Sequence, residues 1–91
     1  MTFNYGQPIS EKLAEIIKTY TVAADYKRYA DENKTISRWT IERVSRGRSP
    51  ITEDNEPAVI EMFRIALIRS NHAKDFAIQS ENIIKNELKI K

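Results

Sequence analysis

The sequence predicts an all-α protein with five helices in one small domain. Apolar residues recur at the three- and four-residue spacing of amphipathic helices, and residues that favour helix starts and ends fall between these segments. No alternating run of β-branched residues bounded by turn dipeptides indicates a strand. The 91 residues, 41% of them hydrophobic and 31% charged, suit a single globular domain. We expect an N-terminal arm over 1–9 and a helical domain over 10–91.

The first two helices are predicted from apolar faces that follow small hydroxyl residues. Ser10 is a favourable N-cap for the first helix, and Thr21 is one for the second, expected over about 22–32. The predicted apolar faces are Leu13, Ile16, Ile17 and Tyr20 in the first helix and Val22, Ala23, Tyr26 and Ala30 in the second. Polar residues expected to face water on the second helix are Asp25, Arg28 and Glu32.

The third helix, predicted over 38–46, carries the clearest local signals. Ser37 is its expected N-cap, and Ile36 and Ile41 are spaced to form a hydrophobic staple across the helix start. Gly47 follows the helix where a left-handed C-terminal residue is favoured. These signals predict a helix of two to three turns.

The fourth helix is predicted to supply most of the core. Thr52 or Asn55 can cap it, and from Ala58 to Ile68 only Glu61 and Arg64 are not apolar. A helix that is apolar nearly all round must be covered on most sides, by its own domain or in part by a second subunit. A fifth amphipathic helix is predicted over about 74–88, with Phe76, Ala77, Ile83, Ile84 and Leu88 as its apolar positions. The polar residues 70–72 either break or bend the chain between the two.

Composition argues against several classes of function. The chain has no cysteine, which excludes a disulfide scaffold and thiol nucleophiles, and two isolated glycines cannot form a phosphate-binding loop. The single histidine, His72, has no recognisable catalytic partner, and acidic pairs such as Glu53 and Asp54 suit a helix start. No apolar run is long enough for a membrane span, and the N-terminus lacks the pattern of a signal peptide. We therefore expect a cytoplasmic protein that is not an enzyme and has no metal or cofactor.

The positive charge is concentrated in one segment. The net charge is +2, and the segment from Lys34 to Arg48 holds five bases against the single acid Glu42. A basic segment on a near-neutral body favours an anionic partner met at one place, although a solvated helix face has the same composition. We expect Glu42 to form a salt bridge within its own helix rather than to contact a ligand.

Segment 37–48 resembles the recognition helix of the lambda-repressor/Cro (XRE-type) helix-turn-helix family. The matching positions are a capping Ser37, Thr40 followed by Ile41, Val44 three residues on, and the ending Arg46-Gly47-Arg48, with Ala30 as the small residue of the preceding helix. The glycine usual in the turn of that family is absent. The resemblance places the helix-turn-helix at about 22–47 and, in outline, covers residues 10 to 70.

The resemblance implies sequence-specific binding to double-stranded DNA by a small bacterial or phage transcription regulator, associated with the nucleoid when bound. The implied base-reading residues are Arg38, Trp39 and Arg43, and the implied backbone contacts are Ser37, Arg46, Arg48, Lys27, Arg28 and Lys34. Trp39 has an alternative role as a lid on the core.

Two further alternatives concern partners. A helical protein–protein adaptor, such as an antitoxin or a phage accessory protein, has the same fold without DNA readout. We also expect a homodimer through the fourth and C-terminal helices, the alternative being that the fifth helix packs back on its own domain.

Overall fold

The computed structural model describes residues 4–88, and this part of the chain is helical with no strand. The helices are α1 (Glu11–Tyr20), α2 (Ala23–Glu32), α3 (Arg38–Ser45) and α4 (Glu56–Leu88). The all-α prediction is confirmed. The prediction of five helices is wrong, because the fourth and fifth predicted helices form the single continuous α4.

Helices α1 and α3 begin where their capping residues predict. The Ser10 hydroxyl accepts the Leu13 N–H at 3.3 Å, and the Ser37 hydroxyl accepts the Thr40 N–H at 3.2 Å. Each bond satisfies one of the amides that a helix start leaves without a partner. Both N-cap predictions are confirmed, and Gly47 after α3 has the predicted left-handed conformation with φ 73°.

The start of α2 differs from the prediction. Thr21 does not cap this helix, because its hydroxyl donates to the Ile17 carbonyl at the end of α1 at 2.7 Å and lies 2.8 Å from the Tyr26 hydroxyl. Val22 is the N-cap residue, and the Asp25 carboxylate accepts its N–H at 2.8 Å. Val22 is exposed and so is Ala23, so the buried face predicted for α2 is wrong at these two positions.

The core lies where α1, α2 and α3 meet the first half of α4. The buried apolar residues are Ile9, Ala14, Ile17, Tyr26, Ile41, Val44, Ile51, Ala58, Val59, Met62, Ile65 and Ala66. Five of these belong to α4, which confirms its role as the main core element. It is covered on one side only, since Ile60, Leu67 and Ile68 are exposed.

Part of the segment predicted as an N-terminal arm is attached to the domain. The Gly6 N–H donates to the Ile51 carbonyl at 2.8 Å, and the Ile51 N–H donates to the Gln7 carbonyl at 3.0 Å. Ile9 is buried beside this pairing. The chain before α1 therefore packs against the loop that leads into α4.

The same loop is closed by Thr52 and Asn55, the two residues predicted to cap the fourth helix. The Thr52 N–H donates to Asn55 Oδ1 at 2.8 Å, and the Asn55 N–H donates to Thr52 Oγ1 at 3.3 Å. The Asn55 amide also donates to the Pro50 carbonyl at 3.2 Å. These reciprocal bonds fix the direction in which α4 leaves the domain.

Helix α4 continues past its polar middle and leaves the domain. Ser70, Asn71 and His72 neither break nor end it, and the Ser70 hydroxyl donates to the Leu67 carbonyl at 2.9 Å. Side chains from 71 to 79 are all exposed. The second half of α4 thus does not pack back on its own domain, and the described chain is elongated, with extents of 54 × 26 × 19 Å. Within residues 4–88 no helix has the length and apolar character that crossing a bilayer requires.

Candidate nucleic-acid interface

The connection between α2 and α3, residues 33–37, is fixed by hydrogen bonds without a glycine. The Asn33 carbonyl accepts the N–H groups of Thr35 at 2.7 Å and Ile36 at 3.3 Å. The Asn33 side chain donates to the Tyr29 carbonyl at 3.1 Å, and Ile36 packs against the core. This connection is slightly longer than the three or four residues usual in a helix-turn-helix. Its backbone conformation is nevertheless fixed by these hydrogen bonds.

Helix α3 is anchored along one face. Ile41, Val44 and Ser45 are buried, and they hold the helix against α2 and α4. The opposite face is therefore directed away from the domain. Trp39 and Arg43, four residues apart and so adjacent on the helix surface, lie at its centre, and both are exposed.

Trp39 has a charged neighbour on its ring. The Arg38 guanidinium carbon lies 4.3 Å from the centroid of the indole, within the range of a cation–π contact. Trp39 borders a shallow cleft of about 250 Å³ together with Ala23 and Tyr26 of α2. With 61% of its surface exposed, it lies beside the junction of α2 and α3 and does not form a lid on the core.

The predicted backbone-contacting cations differ in how they are engaged. Lys27 pairs with Asp31 at 2.9 Å, Arg28 lies 3.9 Å from Asp25, and Arg46 pairs with Glu42 at 3.3 Å. The salt bridge expected for Glu42 within its own helix is thus confirmed.

Four other cations among the predicted site residues form no ion pair within the described part of the chain. They are Lys34, Arg38, Arg43 and Arg48, all exposed.

The predicted site residues do not all share one surface. Arg38, Trp39 and Arg43 lie on the outer face of α3, with Ser37 at its start and Lys34 in the connection before it. Arg46 and Arg48 instead border a cleft at the far end of α3, where the facing residues of α1 are Glu11, Glu15 and Lys18. The two acids there reduce the positive potential around these arginines.

Sequence reasoning missed the most strongly connected polar pair in the domain. Asp25, predicted to face water, is 4% exposed and binds Arg69 of α4 through both guanidinium nitrogens, each at 2.7 Å. The Arg69 hydrogen bonds hold the pKa of the Asp25 carboxyl below its usual range. An Asp three residues after an N-cap position can accept the backbone N–H of that position, which is a signal for the bond to Val22. No local signal points to a partner 44 residues away.

No known family model, curated protein or solved structure matches this chain. Within residues 4–88, no cluster of three or more acidic or histidine side chains is arranged to hold a metal. The geometry and charge of the surface around α3 are therefore the features that bear on function.

Proposed function

We propose that this protein binds double-stranded DNA in a sequence-dependent manner and acts as a small transcription regulator of bacterial or phage type. The observation that carries the proposal is the outer face of α3. This short helix is anchored by Ile41 and Val44, and its opposite side presents Trp39 and Arg43 with Arg38 beside them.

The dimensions and chemistry of this face suit the major groove. The groove of B-DNA is about 12 Å wide and admits one α-helix. Arg38 and Arg43 are not neutralised by any described acid, so their guanidinium groups are available to the O6 and N7 acceptors of guanine. Trp39 supplies an apolar surface for a thymine methyl group or a sugar.

Phosphate contacts come from cations at the two ends of α3 and on α2. Lys34, in the connection before α3, and Arg48, after it, are exposed and unpaired among the described residues. Lys27 pairs with the exposed Asp31, and exposed pairs of this kind contribute only about 0.2–1 kcal/mol, so a phosphate can replace that carboxylate at little cost. Arg28 lies 3.9 Å from the buried Asp25, which keeps its two hydrogen bonds from Arg69 when Arg28 turns to a phosphate.

Selection of bound sites from random duplexes tests the proposal, followed by binding measurements from about 50 to 200 mM salt. We expect an enriched sequence and an affinity that falls steeply with salt, because bound cations displace counterions from the duplex. Arg43→Ala should relax the sequence preference at one or two base pairs, while Lys12→Ala, at an exposed position on α1, should leave the preference unchanged. An absence of any enriched sequence would rule out the proposal.

A second candidate function is that of a helical protein–protein adaptor. It is favoured by Ile60 and Leu67, which are exposed on the side of α4 that faces away from the core. If the chain is an adaptor and not a DNA-binding protein, it should show no salt-dependent binding to DNA duplexes.

A further inference from the structure

The second half of α4 carries an apolar stripe with a seven-residue repeat. We call it the C-terminal stripe; its members are the apolar Ala73, Phe76, Ala77, Ile83 and Ile84 and the small polar Ser80. Residues seven apart lie on nearly the same side of a helix. The repeat is typical of helices that pair along their length in coiled coils.

The stripe continues the core-facing side of α4. Val59 and Ala66 are buried against the domain, and two further steps of seven residues lead to Ala73 and Ser80. In the same way, the buried Met62 is followed at seven-residue steps by Arg69, Phe76 and Ile83, a series whose first two members contact the domain. One side of a single helix is therefore covered in its first half and uncovered in its second.

Within residues 4–88, the second half of α4 has no packing partner to stabilise it as a helix. Phe76 is 71% exposed, and Ile83 and Ile84 are also exposed. Isolated helices of about 15 residues are marginal in water, and most helices in proteins are stabilised by packing an apolar face. A second helix against the stripe would supply that packing.

The chemistry of the segment suits a second copy of itself. Between 73 and 86 the charged residues are Lys74, Asp75, Glu81 and Lys85, two of each sign. Two copies therefore meet without net repulsion. An antiparallel pair centred near Ser80 sets the small Ala77 of one copy opposite the large Ile83 of the other.

The position of the domain determines the orientation of the pair. The domain and the C-terminal stripe lie on the same side of α4, so two parallel helices joined along their stripes would bring both domains into the same space. Two antiparallel helices instead place each domain beyond the C-terminal end of the partner helix. We infer that the protein forms an antiparallel homodimer through the C-terminal stripe.

This inference does not depend on the proposed DNA binding, and sedimentation of the full chain at tens of micromolar tests it. We expect a dimer for the unmodified chain and a monomer for Phe76→Lys. The matched control is Ile78→Lys, at a 49% exposed position off the stripe, which should stay dimeric. A monomeric unmodified chain, or equal behaviour of the two variants, overturns the inference, whatever the outcome with DNA.

The orientation is tested separately with a spin label. The chain has no cysteine, so Asn71→Cys gives one labelling site per chain at an exposed position near the start of the free half. An antiparallel pair centred near Ser80 places the two sites about 30 Å apart, from a 1.5 Å rise per residue and a helix separation of about 10 Å. Residue 71 lies on the side of α4 opposite the stripe, so a parallel pair would set the two residue-71 Cα atoms about 15 Å apart, and a distance that short would contradict the inferred geometry.

Discussion

Arg69 of α4 binds Asp25 of α2 through two hydrogen bonds of 2.7 Å, one to each carboxylate oxygen. Arg69 also donates to the Tyr20 carbonyl at the end of α1 at 2.8 Å, and Asp25 accepts the N–H of Val22. One arginine therefore connects the end of α1, the start of α2 and the middle of α4. Beyond Arg69, the side chains from 71 to 79 are all exposed, so this pair lies near the end of the part of α4 that packs on the domain.

Removal of this arginine should destabilise the domain. In Arg69→Met the buried Asp25 carboxylate loses its two strongest donors, and we expect a loss of about 2 kcal/mol in the free energy of unfolding, below the 3–5 kcal/mol of a fully buried pair because Arg69 is partly exposed. Arg64→Met removes the exposed pair with Glu61 on the same helix and should cost about 0.5 kcal/mol or less. Urea unfolding of both variants measures the difference, and equal losses would show that the Asp25 pair adds nothing specific.

The same pair should make stability depend on pH in the acid range. The pKa of Asp25 is lower in the folded protein than its unfolded value of about 3.9, so its contribution is fully present above that value and is lost as pH falls through the folded pKa. The free-energy difference between the unmodified chain and Asp25→Asn should therefore be constant from pH 7 to about pH 5 and shrink below about pH 4. Urea unfolding at a series of pH values checks this. A difference that stays constant to pH 2 would contradict the lowered pKa.

Substitutions on α3 should separate base readers from phosphate contacts. Arg38→Ala and Arg43→Ala should each cost about 1–3 kcal/mol on the best DNA site and relax its preference at one or two base pairs. Arg48→Ala should weaken binding to all duplexes alike and lower the salt slope by about 1. Arg46→Ala should act similarly but less strongly, because Arg46 is already paired with Glu42. If all four variants lose the same affinity on unrelated DNA sequences, α3 is not the helix that reads the bases.

Gly47 should tolerate asparagine better than alanine. Its φ of 73° is left-handed, a conformation that costs most L-residues roughly 1–2 kcal/mol, and Asn adopts it more readily than Ala. An added Cβ would lie 3.4 Å from the Ile9 carbonyl oxygen and 3.5 Å from the Ala14 Cβ in either variant, so this contact is common to both. Thermal unfolding should give a higher Tm for Gly47→Asn than for Gly47→Ala. The reverse order would indicate that packing, rather than backbone conformation, limits this position.

The parts of the fold that depend on near neighbours could be predicted from the sequence. Ser10 and Ser37 cap their helices because the bonded amides are only three residues away, and the pairing of Glu42 with Arg46 is a four-residue helix contact. The exposed face of α3 also follows from local periodicity. The contact between Arg28 and Asp25 could not be predicted in this way, because local periodicity predicts that Asp25 faces water, whereas it is buried.

The predictions were wrong where the structure depends on contacts between residues far apart in the sequence or on the cooperativity of helix formation. Asp25 is buried because Arg69, 44 residues away, binds it, and the sequence around Asp25 carries no sign of that partner. The polar residues 70–72 suggested a break or a bend between two helices, but such residues cost only a few tenths of a kcal/mol each in a helix interior. Extension of a helix already held by its first half is easier than a new start, so α4 continues through them.

The unbroken course of α4 sets a rotational phase between the domain and the C-terminal stripe. Because each residue turns the helix by about 100°, inserting one residue between Arg69 and Ala73 would rotate the stripe away from the side on which the domain lies. Inserting seven would return it to within about 20° and lengthen the helix by about 10 Å. The separation and the relative angle of the two ends of the molecule are thus both set by the number of residues between them.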